Sequence, residues 1–147
     1  MRCTPLFFTS GRCAAAVLAA TLVAISAPAR SAGCAAVEVQ NLQPGKGKLM
    51  VAGYRDASSF RKTAEVQMML DVDAATMQLQ VCGLSGDAVA LTLYQDLNGN
   101  GLLDANPFGI PIEPWGASGR TTPMSAPTWD SARVPLDGSA LVIRLTK

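Results

Sequence analysis

The sequence predicts an all-β domain behind an export signal: an antiparallel sandwich of about seven strands, immunoglobulin-like or transthyretin-like. Three observations carry this expectation. After Cys34, apolar residues recur at every second position in short runs, the period of a half-buried strand and not of a helix. Turn formers separate the runs, as in Pro44-Gly45-Lys46-Gly47 and Gly83-Leu84-Ser85-Gly86. The first 29 residues differ in composition from everything that follows.

Arg2 and Arg12 precede residues 13–27, a charge-free run of 15 residues. That is signal-peptide length, short of the roughly 20 apolar residues a spanning helix needs, so a spanning anchor is the weaker reading. Ala27 and Ala29 place small residues where a signal peptidase reads them. The chain therefore divides into a signal peptide, 1–29, and one domain, 30–147, in the periplasm or outside the cell. Ala32-Gly33-Cys34 raises a lipoprotein alternative in which Cys34 is acylated, although Ser31 stands where a larger aliphatic residue is usual.

Without the signal, ten basic residues face eleven acidic ones. A near-neutral domain has no general attraction for nucleic acid or anionic membranes. Two of the four cysteines, Cys34 and Cys82, remain. In an oxidising compartment they are expected to bond, closing a loop that stabilises by about 2–4 kcal/mol. The alternative is one buried thiol and one terminal cysteine, lipidated or free.

The strands are taken in order. Val37 and Val39 alternate with Glu38 and Gln40, and after the turn Leu49 and Val51 repeat the period, so a hairpin is expected over 37–54. Residues 65–71 and 76–82 form two more candidates. In the second, Met77, Leu79 and Val81 share one face, which puts Cys82 on the side away from the core. Methionine and glutamine in these stretches tolerate helix, but the period is two. Residues 88–94 alternate Val89, Leu91 and Leu93 with Ala90, Thr92 and Tyr94, as suits a central strand. Two further strands are expected around 132–136 and 139–145.

The segment with chemistry in it is Asp96-Leu97-Asn98-Gly99-Asn100-Gly101-Leu102-Leu103-Asp104. Oxygen-bearing side chains stand at positions one, three, five and nine, with glycine at six, as in the first part of an EF-hand calcium loop. The expectation is a calcium cofactor held by Asp96, Asn98, Asn100, the Leu102 carbonyl and Asp104. Position twelve is Pro107 where an EF-hand carries a bidentate glutamate, so Glu113 is the candidate for the missing carboxylate if residues 105–113 fold back. The competing reading is two successive Asn-Gly turns with side chains capping their own backbone. The absence of histidine excludes zinc, copper or haem held through imidazole.

Prolines 111 and 114 argue that 109–116 is a loop. Trp115 and Trp129 either form a stacking platform for a sugar or peptide or plug the end of the sandwich. No catalytic residue is assigned. A Ser or Cys hydrolase lacks its histidine, Ser85 reads as part of a hairpin turn, and the carboxylates Asp96, Asp104, Glu113 and Asp130 are mostly absorbed by the loop. The functional expectation is a non-catalytic exported domain with a protein or glycan partner at the 96–118 loop. The alternative is a carbohydrate-binding module using the tryptophans or, more remotely, a carboxylate-dependent hydrolase.

The block Tyr94-Gln95-Asp96 through Asp104, with Gly109-Ile110-Pro111-Ile112-Glu113 and Pro127, resembles an uncharacterised family of exported bacterial proteins, domain of unknown function family 2141. That family runs a β-rich domain from a His-Asp pair into Asp-x-Asn-x-Asn-Gly-x-x-Asp and then Gly-x-Pro-x-Glu. Gln95 here replaces the usual histidine, and Ala117 replaces a phenylalanine ahead of Ser118. The resemblance implies the fold, export and loop, and no substrate.

Overall fold

A computed structural model of the chain describes residues 33–120, 122 and 125–146; the expected signal peptide, 1–29, lies outside them. Alternation does what the sequence requires of it. Gly33–Gln40 (β1) buries Ala35, Val37 and Val39, and Lys48–Tyr54 (β2) buries Leu49 and Val51. Val66–Asp71 (β3), Thr76–Leu84 (β4) and Ala88–Asp96 (β5) follow. Trp115–Ala117 (β6), a helical turn at Trp129–Ala132 (α1), Val134–Pro135 (β7) and Leu141–Arg144 (β8) complete the order.

The strands form two sheets, β4-β1-β8 and β3-β2-β5-β6 with β7 also pairing β5. All pairs are antiparallel except β1 with β8. The fold is an all-β sandwich. Val37, Val39, Leu49, Val51, Val81, Leu84, Val89, Leu91, Leu93 and Ile143 fill the space between the sheets.

The hairpin expected over 37–54 does not form, because β1 and β2 lie in opposite sheets. Their connection is fixed from outside: Leu42 N–H donates to Ala75 O at 3.0 Å and Gly45 N–H to Val72 O at 2.7 Å. The two crossings between sheets thus run side by side and satisfy one another's backbone, which no local turn signal encodes. Ser85 likewise belongs to a crossing between sheets, from β4 to β5, and not to a hairpin; its hydroxyl and N–H both donate to Glu65.

Two local expectations also change. The strand expected at 132–136 shrinks to two residues, because Thr128 and Ser131 close a capping box and start α1, burying Ala132. Conversely, 115–117 pairs as an edge strand despite Pro114. The ring precedes the strand, where no N–H is required, and the Pro114 carbonyl accepts from Gln95 N–H at 2.8 Å.

Cys34 and Cys82 are direct cross-strand partners and form a disulfide on the exposed side of β1 and β4. The bond occupies the Cys34 sulfur that acylation would need. Outside the larger sheet, Tyr54, Phe60, Ala90, Ala117 and Ala132 build a second small core. Phe60 meets Tyr54 and Trp129 edge-on, at 5.2 and 6.1 Å between ring centres. Strand β5 is therefore covered on both faces, which makes it the rigid platform for the segment that follows.

Candidate functional site

At the end of β5 the alternation places Gln95 on the core side after Leu91 and Leu93, and it is fully buried. Both amide donors are used and the oxygen is partnered: Nε2 donates to Gln43 O and Lys46 O, both at 2.7 Å, and Oε1 accepts from Gln43 N–H at 2.8 Å. Gln95 thus pins the crossing from β1 to β2. A polar residue on a core-facing register position is the signal that could have revealed it, since buried amides require partners. Ser118 is a second such residue; its hydroxyl accepts from Leu91 N–H at 2.8 Å and donates to Ala132 O at 2.6 Å, tying α1 to β5.

Asp96 is 2% exposed. Oδ1 accepts from Gly99 N–H at 2.7 Å and Asn100 N–H at 3.2 Å, and Oδ2 from Gly101 N–H at 2.7 Å. Gly99 and Gly101 sit at φ 78° and 77°, a left-handed backbone that turns these N–H groups inward. Asn98 Oδ1 accepts from Asn100 N–H at 3.0 Å, and Asn100 Oδ1 from Leu102 N–H at 2.8 Å. Asp104 accepts from the side-chain amides of Asn98 and Asn100, at 2.5 and 3.0 Å.

Residues 105–113 do fold back. Ile112 N–H donates to Asp104 O at 2.9 Å, Asn106 N–H to Ile110 O at 2.9 Å, and Ala105 bridges Pro111. Glu113, 4% exposed, is delivered to the loop as anticipated. Its carboxylate, however, accepts from Leu97 N–H at 2.7 Å and Asp104 N–H at 3.1 Å.

The calcium expectation is therefore corrected. The side-chain oxygens of Asp96, Asn98, Asn100, Asp104 and Glu113 each receive N–H donors, leaving Leu102 with no oxygen-bearing partner set around its carbonyl to complete. Among the described residues no group of three or more His, Cys, Asp or Glu is arranged to hold a metal ion. The loop is the alternative weighed for it, successive Asx turns, locked by a buried glutamate.

What the lock holds outward is apolar. Five of the seven exposed large hydrophobic side chains among the described residues, Leu102, Leu103, Phe108, Ile110 and Ile112, lie on this finger, with Phe108 88% exposed. Between the finger and residues 125–127 opens a cleft of about 350 Å³ whose lining includes Tyr54, Tyr94, Trp115, Arg61, Ile110 and Pro127. Tyr94 donates its hydroxyl to Gly101 O at 2.8 Å. Burial, and the carboxylates of Asp96 and Glu113 behind it, push its phenol above the usual tyrosine range.

Trp115 is only 8% exposed and bonds Thr146 in both directions, so it floors the cleft without forming a platform with Trp129, which packs on Phe60. Of the carboxylates considered for hydrolysis, Asp96 and Glu113 are committed to backbone N–H groups. Asp130 is exposed beside Arg133 at 3.5 Å.

The model of the family described as "Uncharacterized protein conserved in bacteria (DUF2141)" matches residues 37–144. No curated protein and no solved structure matches the chain.

Proposed function

The chain belongs to that family of uncharacterized bacterial proteins, and from this premise we propose that its domain, 30–147, is a non-catalytic exported binding module. One observation carries the binding role: a hydrogen-bonded finger that holds apolar side chains in water beside an aromatic-floored cleft. Exposed apolar groups gain from a partner, and a segment ordered beforehand spends little conformational entropy on meeting it. The cleft volume falls within the range of small-ligand sites. The ligand presents an apolar face, as a sugar ring or an apolar peptide segment does.

Export is supported by the disulfide, a bond that persists in oxidising compartments, and by the composition of residues 1–29. Among the described residues no helix is long and apolar enough to cross a membrane. Expression of the full chain in a bacterium tests export: cell fractionation should place the protein in the periplasm or medium, with an intact mass corresponding to cleavage after Ala29. A cytoplasmic, uncleaved product overturns it.

Binding is tested in Trp129→Phe protein, where Trp115 is the remaining indole. Titration with a panel of oligosaccharides and apolar peptides should give a saturable fluorescence change for at least one member. Ile110→Asp should weaken that binding at least tenfold without changing the circular dichroism. A panel that leaves both fluorescence and calorimetric heat unmoved sinks the reading.

A further inference from the structure

We infer that the cleft takes a ligand carrying a carboxylate, with the Arg61 guanidinium as its counter-charge and the apolar finger holding the body of the molecule. The inference rests on the cleft being the binding site.

Arg61 is at φ 57°, in the left-handed region that a non-glycine residue seldom adopts. The turn around it is held firmly enough to keep it there. Asp56 Oδ1 accepts from Ser59 N–H at 2.8 Å, Ser59 O accepts from Lys62 and Thr63 N–H at 2.9 Å each, and the neighbouring Phe60 is buried in the second core. Strained residues that the surrounding structure over-determines concentrate at ligand sites. This one is placed at the wall of the cleft.

The guanidinium is not committed elsewhere among the described residues. The ion pairs there are Lys48 with Asp71, Arg55 with Asp56 and Glu65, and Arg133 with Asp130. A second donor stands in the same lining. Tyr54 receives a long contact of 3.5 Å from the Thr92 hydroxyl, which leaves the Tyr54 O–H proton for a ligand oxygen. A guanidinium, which can only donate, beside a phenol whose oxygen already accepts from Thr92 presents donors to the ligand, the complement of a carboxylate. At the Tyr94 end the field has the opposite sign, because Asp96 and Glu113 lie behind it. A ligand anion is thus directed toward Arg61 and away from Tyr94, with Ile110 and Pro111 against its apolar part.

Two sources carry this chemistry, a uronic acid within a glycan and the C-terminus of an apolar peptide. Calorimetry on the mature protein separates them. One arm compares trigalacturonic acid with its methyl ester, and the other compares N-acetyl-Leu-Phe with its C-terminal amide. In at least one arm the acid should bind ten or more times tighter than its neutral partner, and its affinity should fall as salt is raised. Arg61→Asn, which removes the charge but tolerates the left-handed backbone, should abolish that preference with the melting temperature unchanged. Arg61→Lys should retain part of it.

Equal binding of acid and neutral forms, or a preference that survives Arg61→Asn, overturns the inference while leaving the cleft reading standing. No binding in either arm also overturns it; the cleft reading then falls only if the wider panel is silent as well.

Discussion

Glu113, a residue only 4% exposed, accepts a hydrogen bond from the backbone N–H of Leu97, sixteen residues earlier, at 2.7 Å. Its other oxygen takes Asp104 N–H, so one side chain closes both ends of the loop. Glu113→Gln would turn an amide N–H₂ toward one of these donors. Leaving a buried donor unsatisfied costs about 1–3 kcal/mol. Chemical denaturation should show a loss of that size, and amide exchange at Leu97 and Asp104 should quicken. A variant as stable as the parent would mean that the lock contributes nothing.

Because N–H groups already occupy the oxygens of Asp96 and Glu113, metal removal should be silent. Melting temperature in chelator and in millimolar calcium is expected to agree within experimental error, with no saturable heat on titration. An upward shift of several degrees in calcium would restore the discarded ligand set.

Two glycines of positive φ should respond differently to alanine. At Gly99, φ 78°, an added Cβ meets nothing within 4 Å, so the substitution costs only the backbone strain of about 1 kcal/mol. At Gly47, φ 57°, the Cβ would stand 1.8 Å from the Asp96 carbonyl oxygen, and the backbone itself must move. Thermal unfolding should rank Gly47→Ala well below Gly99→Ala; equal melting temperatures would contradict the close approach of the 43–47 crossing to β5.

The raised Tyr94 phenol gives a pH dependence with a defined sign. Burial first, and then the charges of Asp96 and Glu113, favour the neutral form in the folded state. The unfolded chain therefore releases this proton first, and the associated stability is fully present below pH about 10 and is lost as pH rises from there through the raised folded-state value. In Tyr54→Phe protein, where Tyr94 is the remaining tyrosine, tyrosinate absorbance should appear with a midpoint above about 10 in the native state. A midpoint at or below the free-tyrosine value would refute the shielding.

Much of the fold was legible because alternation is a local property. The runs around Val37, Val51, Val81 and Leu91 each lie in a strand, with the expected side chains inward. The outward face of Cys82 followed from the same period. The composition of the 96–104 segment also marked where the candidate site would be, and its glycines marked where the backbone turns back.

Pairing was not legible, because backbone hydrogen bonds are blind to side-chain identity. The 37–54 run reads as a hairpin until Val72 and Ala75 are seen to hold the connection from the other crossing. Nor could spacing decide between a cation and N–H donors at Asp96. The nine residues encode both, and the choice falls to Gly99 and Gly101 turning three amides inward and to Glu113 arriving from beyond the loop. Residue order alone determined which atoms this region owns; their partners were decided by chain segments distant in sequence, since a hydrogen bond depends on where donor and acceptor meet in space.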